Sequence, residues 1–336
     1  MTNRTMKGSV MITRRAALAG AMLAAPAIVR AQTVTRLRVS TASPPSDFLA
    51  KCLEQFKAAV DGANAGLTVE IYPAGALFKQ GTEVAALQRG TLEMSTMSTF
   101  EVAQQMPEFG FFNRGYLFGN YGHMRHVFDG PVGTDYRRAV ADKMGIEILT
   151  TAYLGTRQVN LRKKRAVATP DDLAGVKMRM PSGPEWLLLG RALGLGPVPM
   201  GMPEVYLALK TGTIDGQENP LSILNAAKFY EVSEQVVLTA HMVQPVFINI
   251  AGPVWAKLSA EQKALLQQAA MDAAKVNDTG RLEDERTIVE ALKVRGLAVD
   301  TPDLGAFRAR ADKVYAEAES SKAWNQDWMR RVTETA

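Results

Sequence analysis

Apolar and polar residues alternate along the chain with two different periods, and stretches of the two periods follow one another from residue 37 onward. Stretches with an apolar residue at every second position, or with a short continuous apolar run, predict β-strands. Stretches with apolar residues three and four positions apart predict α-helices. The predicted strands cover residues 37–40, 67–72, 92–97 and 146–151, and the predicted helices cover 48–60, 83–87 and 132–144. This alternation predicts an α/β fold with mainly parallel sheets.

The longest helical pattern covers residues 259–295. It contains no proline and a single glycine, and Ser259 followed by Gln262 is typical of a capping box. A helix over these 37 residues would be about 55 Å long, which exceeds the usual width of one domain. We therefore predict a strut that runs along two domains. The alternative is a pair of helices separated near Asn277–Gly280.

Glycine and proline are dense between residues 155 and 220. A high density of these two residues predicts short elements joined by many loops. Because loops often carry ligand contacts, this region is the first place to look for a binding site.

The net charge of +5 comes from the N-terminus. Residues 1–31 contain five basic residues and no acidic ones, which leaves 34 of each sign in residues 32–336. A nucleic-acid-binding protein would be expected to keep its positive excess in the folded body, so that class is set aside.

Residues 1–31 are interpreted as an export signal. Arg14 and Arg15 precede the mostly apolar residues 16–28, and small residues lead to Ala31, where we expect cleavage. The apolar run would reach only about 20 Å, which is short for a membrane span of about 30 Å. The arginine pair resembles a twin-arginine signal, with general secretion as the alternative, and the start is Met1 or Met11. The mature protein is expected in the periplasm.

Catalytic and metal-binding motifs are absent from the sequence. It has no nucleophile elbow, no phosphate-binding loop and no zinc-protease motif. A single cysteine, Cys52, and three histidines provide little for a metal site. The sequence therefore favours a binding protein over an enzyme, and we expect neither a metal nor a cofactor.

The residues 177–181 carry the candidate binding chemistry. Lys177 and Arg179 share one face of a predicted strand that Pro181 ends. Arg179 would then lie at a strand end beside a loop, where open α/β sheets bind ligands. A guanidinium can hold a carboxylate through two parallel hydrogen bonds. The alternative is an arginine exposed on the surface.

Several motifs resemble the solute-binding proteins of tripartite ATP-independent periplasmic (TRAP) transporters, the DctP-type family. The resemblance covers nearly the whole mature chain. The motifs are Asp172–Pro181, Pro197–Pro220 with its DGQENP ending, Lys228–Val232 and, more loosely, Tyr72–Gly75 and Gly155–Arg157.

The resemblance implies a two-lobed clamshell that closes on an organic acid, with a long helix running along both lobes. We assign residues 32–154 plus 245–284 to lobe I and residues 155–244 plus 285–336 to lobe II. Among the site residues, Arg179 corresponds to the carboxylate-gripping arginine of the family, Arg157 to a second arginine that assists it, and Asn219 to an amide on the same carboxylate.

Four further residues complete the candidate site. Ser182 falls where some members of the family have a polar contact, and Met202 replaces an aromatic ring over the ligand. Ser98 occupies a position where acid-sugar binders tend to have a carboxylate, which disfavours sialic acid. Trp186 is either a wall of the pocket or a core aromatic residue.

The resemblance also implies the partners, which are a small carboxylate and the subunits of a TRAP membrane permease. Candidate ligands are C4-dicarboxylates, 2-keto or hydroxy acids, and aromatic carboxylates. We expect a monomer. The alternatives are an ABC-type receptor, a secreted enzyme acting on organic acids, and a signalling receptor.

Overall fold

The computed structural model describes residues 1–2 and 34–335, and the predicted export signal falls almost wholly outside these ranges. The strands of the described chain are β1 (Thr35–Ser40), β2 (Leu67–Tyr72), β3 (Met94–Met97), β4 (Ile146–Leu161), β5 (Lys177–Met180), β6 (Gly196–Pro199), β7 (Gly216–Pro220), β8 (Gln235–Ala251) and β9 (Ala298–Asp300). The larger helices of the first half of the chain are α1 (Phe48–Gly62), α2 (Glu83–Gln88), α3 (Thr99–Gln105), α4 (Tyr121–Asp129) and α5 (Pro131–Met144). They are followed by α6 (Pro184–Ala192), α7 (Val205–Thr211), α8 (Leu221–Ala226), α9 (Gly252–Trp255), α10 (Ala260–Val294), α11 (Leu304–Glu317) and α12 (Gln326–Thr333).

The nine strands of the described residues form one mixed sheet in the order β2-β1-β3-β8-β4-β7-β5-β6, with β9 added beside β8. We call β2, β1 and β3, with the loops and helices that follow them, the first half, and β7, β5 and β6 with theirs the second half. Neighbouring strands within each half are parallel. The expectation of mainly parallel pairing therefore holds within the halves and fails between them.

The two halves are joined by β4 and β8, which pair with each other in antiparallel orientation along most of their length. The predicted strand 146–151 covers only the first part of β4, which continues through Gly155 and Arg157 to Leu161. Gly155 has a φ of +125°, and a Cβ at this position would lie 2.5 Å from the Pro220 ring. A side chain would therefore block the close approach of β4 to the end of β7.

The long helix is continuous. Ser259 and Gln262 form the predicted capping box, and α10 runs unbroken through Asn277 and Gly280. Gly280 is a site of close packing, because a Cβ there would lie 2.7 Å from the Phe48 side chain on α1. The two-helix alternative is therefore wrong.

The helix α10 packs on both halves. Its N-terminal part buries Leu266 and Ala273 with Phe56 of α1, whereas its C-terminal part buries Leu292 with Leu209 of α7. Between them, the buried Arg281 donates hydrogen bonds to Asp47 at the start of α1 (2.6 Å) and to Ser222 on α8 (2.7 Å). The strut predicted from the sequence is confirmed.

Candidate functional site

A cavity of about 90 Å³ lies between the two halves. The first half contributes the loop after β1 and the residues around α2 and α3. The second half contributes the ends of β5 and β7 and the starts of α6 and α8. Six of the seven candidate residues line it, namely Arg179, Arg157, Asn219, Met202, Ser98 and Trp186. Ser182 instead lines a neighbouring depression together with Met200 and Glu204.

Arg179 lies near the end of β5, and its side chain is 1% exposed. The preceding and following methionines, Met178 and Met180, are buried in the apolar core on the opposite face of the strand. The alternation predicted from the sequence therefore turns the guanidinium towards the cavity. The alternative of an exposed surface arginine is wrong.

The hydrogen-bond partners of the Arg179 guanidinium are neutral. Its Nε donates to the Met200 carbonyl oxygen (2.8 Å) and its Nη2 to the Gln80 side-chain oxygen (3.1 Å). Within residues 34–335, no carboxylate forms an ion pair with it. Burial lowers the pKa of Arg179 to about 9, so the group is still charged at neutral pH. A buried cation with neutral partners is costly, and a bound anion would offset that cost.

Arg157, from β4, is held in a different way. Its Nε and Nη2 donate to the two carboxylate oxygens of Glu218 (2.5 and 2.7 Å), and its Nη1 donates to Gln244 (2.6 Å). The guanidinium carbon also lies 4.7 Å from the centre of the Trp186 ring. Arg157 is therefore neutralised inside the protein and borders the cavity as a paired group.

Glu218 lies on β7 beside Asn219 and also accepts a hydrogen bond from His241 (3.0 Å). Burial would raise the pKa of this carboxyl, but Arg157 and His241 outweigh burial and lower the pKa to about 2. The imidazole of His241 is wholly buried, and burial lowers its pKa. We infer that a neutral ring donates from Nε2 to Glu218, while Nδ1 accepts from the Thr239 hydroxyl (2.8 Å).

Two carboxyl groups, Glu83 and Glu101, line the cavity on the first half. Burial raises the pKa of Glu83 to about 7 and that of Glu101 to about 8. Glu101 accepts from both the backbone N–H and the hydroxyl of Ser98, each at 2.8 Å. The wall of the cavity at Ser98 therefore carries a carboxyl group, although Ser98 itself does not.

Trp186 fits both interpretations that the sequence left open. It is 1% exposed, packs edge to face on Phe100 with ring centres 5.9 Å apart, and also lines the cavity. Its indole N–H has no hydrogen-bond partner in the described chain. Asn219 is buried, and its amide nitrogen donates to Gln217 (2.6 Å), which leaves the amide oxygen as a free acceptor towards the cavity.

Sequence reasoning missed Gln80, Glu83, Glu101, Gln244 and the roles of Glu218 and His241. Glu218 stands within the DGQENP run, so its motif was noticed without its function. Its partner Arg157 is 61 residues away, and nothing in the local pattern indicates that pairing. The other residues lie in segments with ordinary composition.

A mixed sheet whose two halves enclose a cavity lined by guanidinium, amide and carboxyl groups defines a solute receptor of the periplasmic binding-protein class. The model of the DctP family, described as bacterial extracellular solute-binding protein, family 7, matches residues 39–322. The chain belongs to this family. The resemblance seen in the sequence is confirmed, and the family's proteins are receptors rather than enzymes.

Three similar proteins illustrate the family. A crystallised TRAP periplasmic solute-binding protein from Roseobacter denitrificans with bound 3-deoxy-D-manno-oct-2-ulosonic acid (KDO) is 38% identical, with a TM-score of 0.86 over 90% of this chain and 99% of that one. A solute-binding protein of Verminephrobacter eiseniae is 33% identical over 87% of each chain. The sialic acid-binding periplasmic protein SiaP of Vibrio cholerae is 29% identical over 76% of this chain and 79% of its own length.

None of the helices in the described ranges combines the length and the apolar character that a membrane crossing requires.

Proposed function

We propose that this protein is a periplasmic receptor that binds an organic acid through Arg179 and delivers it to a TRAP-type membrane permease. The observation that carries the proposal is the buried Arg179 guanidinium, which faces the cavity with neutral hydrogen-bond partners only. A carboxylate bound there supplies the missing counter-charge. The amide oxygen of Asn219 can accept a hydrogen bond from a hydroxyl group of the acid. Arg157 is already paired with Glu218, so its charge attracts the carboxylate more weakly.

The side chains on the wall of the cavity opposite Arg179 limit the kind of acid that can bind. Glu83 and Glu101 offer acceptors that suit hydroxyl groups, and in their ionised form they repel a second carboxylate. An acid with one carboxylate and several hydroxyls fits both walls better than a C4-dicarboxylate does. The relative crystallised with KDO supports this choice. Because Glu101 lies against Ser98, the argument against sialic acid from Ser98 alone loses its basis.

We extend the proposal to the organisation of the chain. Residues 32–154 plus 245–284 form lobe I, and residues 155–244 plus 285–336 form lobe II, with β4, β8 and α10 crossing between them. The chain acts as a monomer after removal of the signal near Ala31. Delivery to a sensor protein is the alternative to delivery to a permease, and capture of the partner would distinguish them.

A thermal-shift screen followed by titration calorimetry tests the proposal. The panel contains KDO, sialic acid, aldonic acids, 2-keto acids, succinate and benzoate, and a ligand that binds the folded state raises Tm. We expect a hydroxylated monocarboxylate to bind, and Arg179→Ala or Arg179→Lys to weaken its binding by roughly 2–5 kcal/mol.

Arg165→Ala is the matched control, since Arg165 is an exposed arginine on the loop after β4. It should bind the same acid as tightly as the wild type does. If Arg179→Ala also binds with unchanged affinity, the assignment of Arg179 is wrong. If no acid of the panel binds to the wild type, the proposed ligand class is wrong.

A further inference from the structure

Gln80 connects the two halves at the anion site. It lies in the loop between β2 and α2 on the first half, and its side chain lines the cavity. Its amide oxygen accepts two hydrogen bonds from the second half, one from Arg179 Nη2 (3.1 Å) and one from the Met202 backbone N–H (3.0 Å). A single neutral oxygen therefore contacts both the candidate binding arginine and the segment that follows β6.

The chemistry of this contact differs from that at Arg157. Gln244 and Glu218 together hold Arg157, and the carboxylate of Glu218 cancels its charge. Gln80 holds Arg179 with an amide, which orients the guanidinium and leaves its charge in place. A carboxylate at position 80 would reach the same two donors with nearly the same shape, but it would add a negative charge.

We propose that Gln80 is the positioning residue that closes the first half onto the anion site, and that its neutral amide keeps the charge of Arg179 available for the ligand. The inference rests on the proposed function and goes beyond it, because it assigns the closing contact to one side chain. Closure brings Gln80 to Arg179 and Met202. The Gln80 contact and a ligand held by Arg179 therefore both stabilise the closed form. The amide also does not compete with the ligand. A carboxylate at position 80 would compete with the ligand carboxylate for the Arg179 guanidinium.

The decisive variant is Gln80→Glu, which changes charge with little change in shape. We expect the affinity for KDO, or for the tightest acid of the panel, to fall by about 100-fold or more, as for the loss of a desolvated charge pair. We expect Tm of the ligand-free protein to rise, because the new carboxylate pairs with a buried cation that lacked one. A purely structural role of Gln80 would not move affinity and ligand-free Tm in opposite directions.

Two further variants support the interpretation. Gln80→Leu removes both hydrogen bonds without adding charge, and we expect its affinity to fall by about tenfold, less than for Gln80→Glu. Gln104→Glu adds the same charge at an exposed position on α3 that does not line the cavity. It should match the wild type in both measurements.

The measurements are titration calorimetry and thermal unfolding of the ligand-free protein. The inference is overturned if Gln80→Glu binds within about threefold of the wild type, or if it loses binding while its ligand-free Tm is unchanged or lowered. Failure of the proposed function is a different result, in which the wild type binds no acid of the panel. In that case the ligand-free Tm of Gln80→Glu still decides whether Arg179 lacks a counter-charge, since an unchanged or lowered Tm overturns the inference.

Discussion

Arg157 and Arg179 border the same cavity, and both are almost completely buried, yet their guanidinium groups have different kinds of hydrogen-bond partner. Arg157 is held by a carboxylate through two hydrogen bonds and by an amide through a third. Arg179 is held by a carbonyl and an amide, both neutral. The cavity therefore contains one arginine whose charge is compensated inside the protein and one whose charge is compensated best by something that enters.

This difference indicates that Arg157 maintains the structure of the site, whereas Arg179 binds the ligand. A third buried arginine, Arg281, supports the distinction, because it is paired with Asp47 and lies outside the residues that line the cavity. Removing one partner of such a buried pair leaves an uncompensated charge, so each paired arginine depends on its carboxylate. The comparison predicts that removal of the carboxylate that pairs with Arg157 destabilises the protein, whereas removal of the charge of Arg179 does not.

Glu218→Gln tests the paired arginine and should have the largest effect. It leaves the Arg157 charge buried without a counter-ion, and breaking such a pair costs about 3–5 kcal/mol of unfolding free energy. Urea unfolding followed by circular dichroism measures this change. A loss below about 1 kcal/mol would mean that the internal pairing contributes little and that the two arginines do not differ as described.

Arg179→Met sharpens the comparison from the other side. It replaces a buried cation that has neutral partners with an apolar chain of similar length, so the unfolding free energy of the ligand-free protein should stay unchanged or rise. The same urea experiment measures it. A loss comparable to that of Glu218→Gln would contradict the idea that Arg179 has only neutral hydrogen-bond partners to balance its charge.

The pH dependence of affinity gives a smaller effect. The pKa of Glu83 is raised to about 7 and that of Glu101 to about 8, so both lose protons between about pH 6 and pH 9. A bound anion raises these pKa values further, so binding takes up protons, and affinity falls as pH rises through this window.

Calorimetry at the two ends of the window, at equal ionic strength, should show a decrease of up to about tenfold. Glu101→Gln keeps an acceptor for Ser98 and removes one ionising group, so it should flatten the dependence. An affinity that rises with pH would show that these carboxyls do not face the bound anion.

Ser182→Ala should have the smallest effect. Ser182 lies in the depression beside the cavity, and the affinity for the acid should change by less than about twofold, as for other substitutions away from the contact. The matched variant Ser98→Ala removes a hydroxyl that lines the cavity and holds Glu101. Ser98→Ala should weaken binding more than Ser182→Ala does. The reverse order would indicate that the ligand binds in the depression and not in the cavity.

The local patterns of the sequence were sufficient for most elements of the fold. Helical spacing and a capping box define α10 almost to the residue, and alternation at 177–180 places Arg179 on the cavity face. Local patterns could not show that β4 extends through Gly155 and Arg157, because this part pairs along its two edges with β7 and β8, which are distant in the chain. The antiparallel pairing of β4 with β8 is equally non-local.

The site shows the same limit. A strand end with an arginine can be recognised from the sequence, and the family motifs indicate Arg157 and Asn219 as further site residues. The partners that decide what each arginine does, Glu218 and Gln80, are 61 and 99 residues away from them. Only the folded chain places a carboxylate beside one guanidinium and an amide beside the other.

The most direct measurement is a crystal structure of the protein with the tightest acid of the panel. We predict that the ligand carboxylate accepts hydrogen bonds from the Arg179 guanidinium, with N···O distances of about 2.7–2.9 Å, while Arg157 stays bound to Glu218. A ligand carboxylate that is held by Arg157 in place of Glu218, or that lies outside this cavity, would contradict the account.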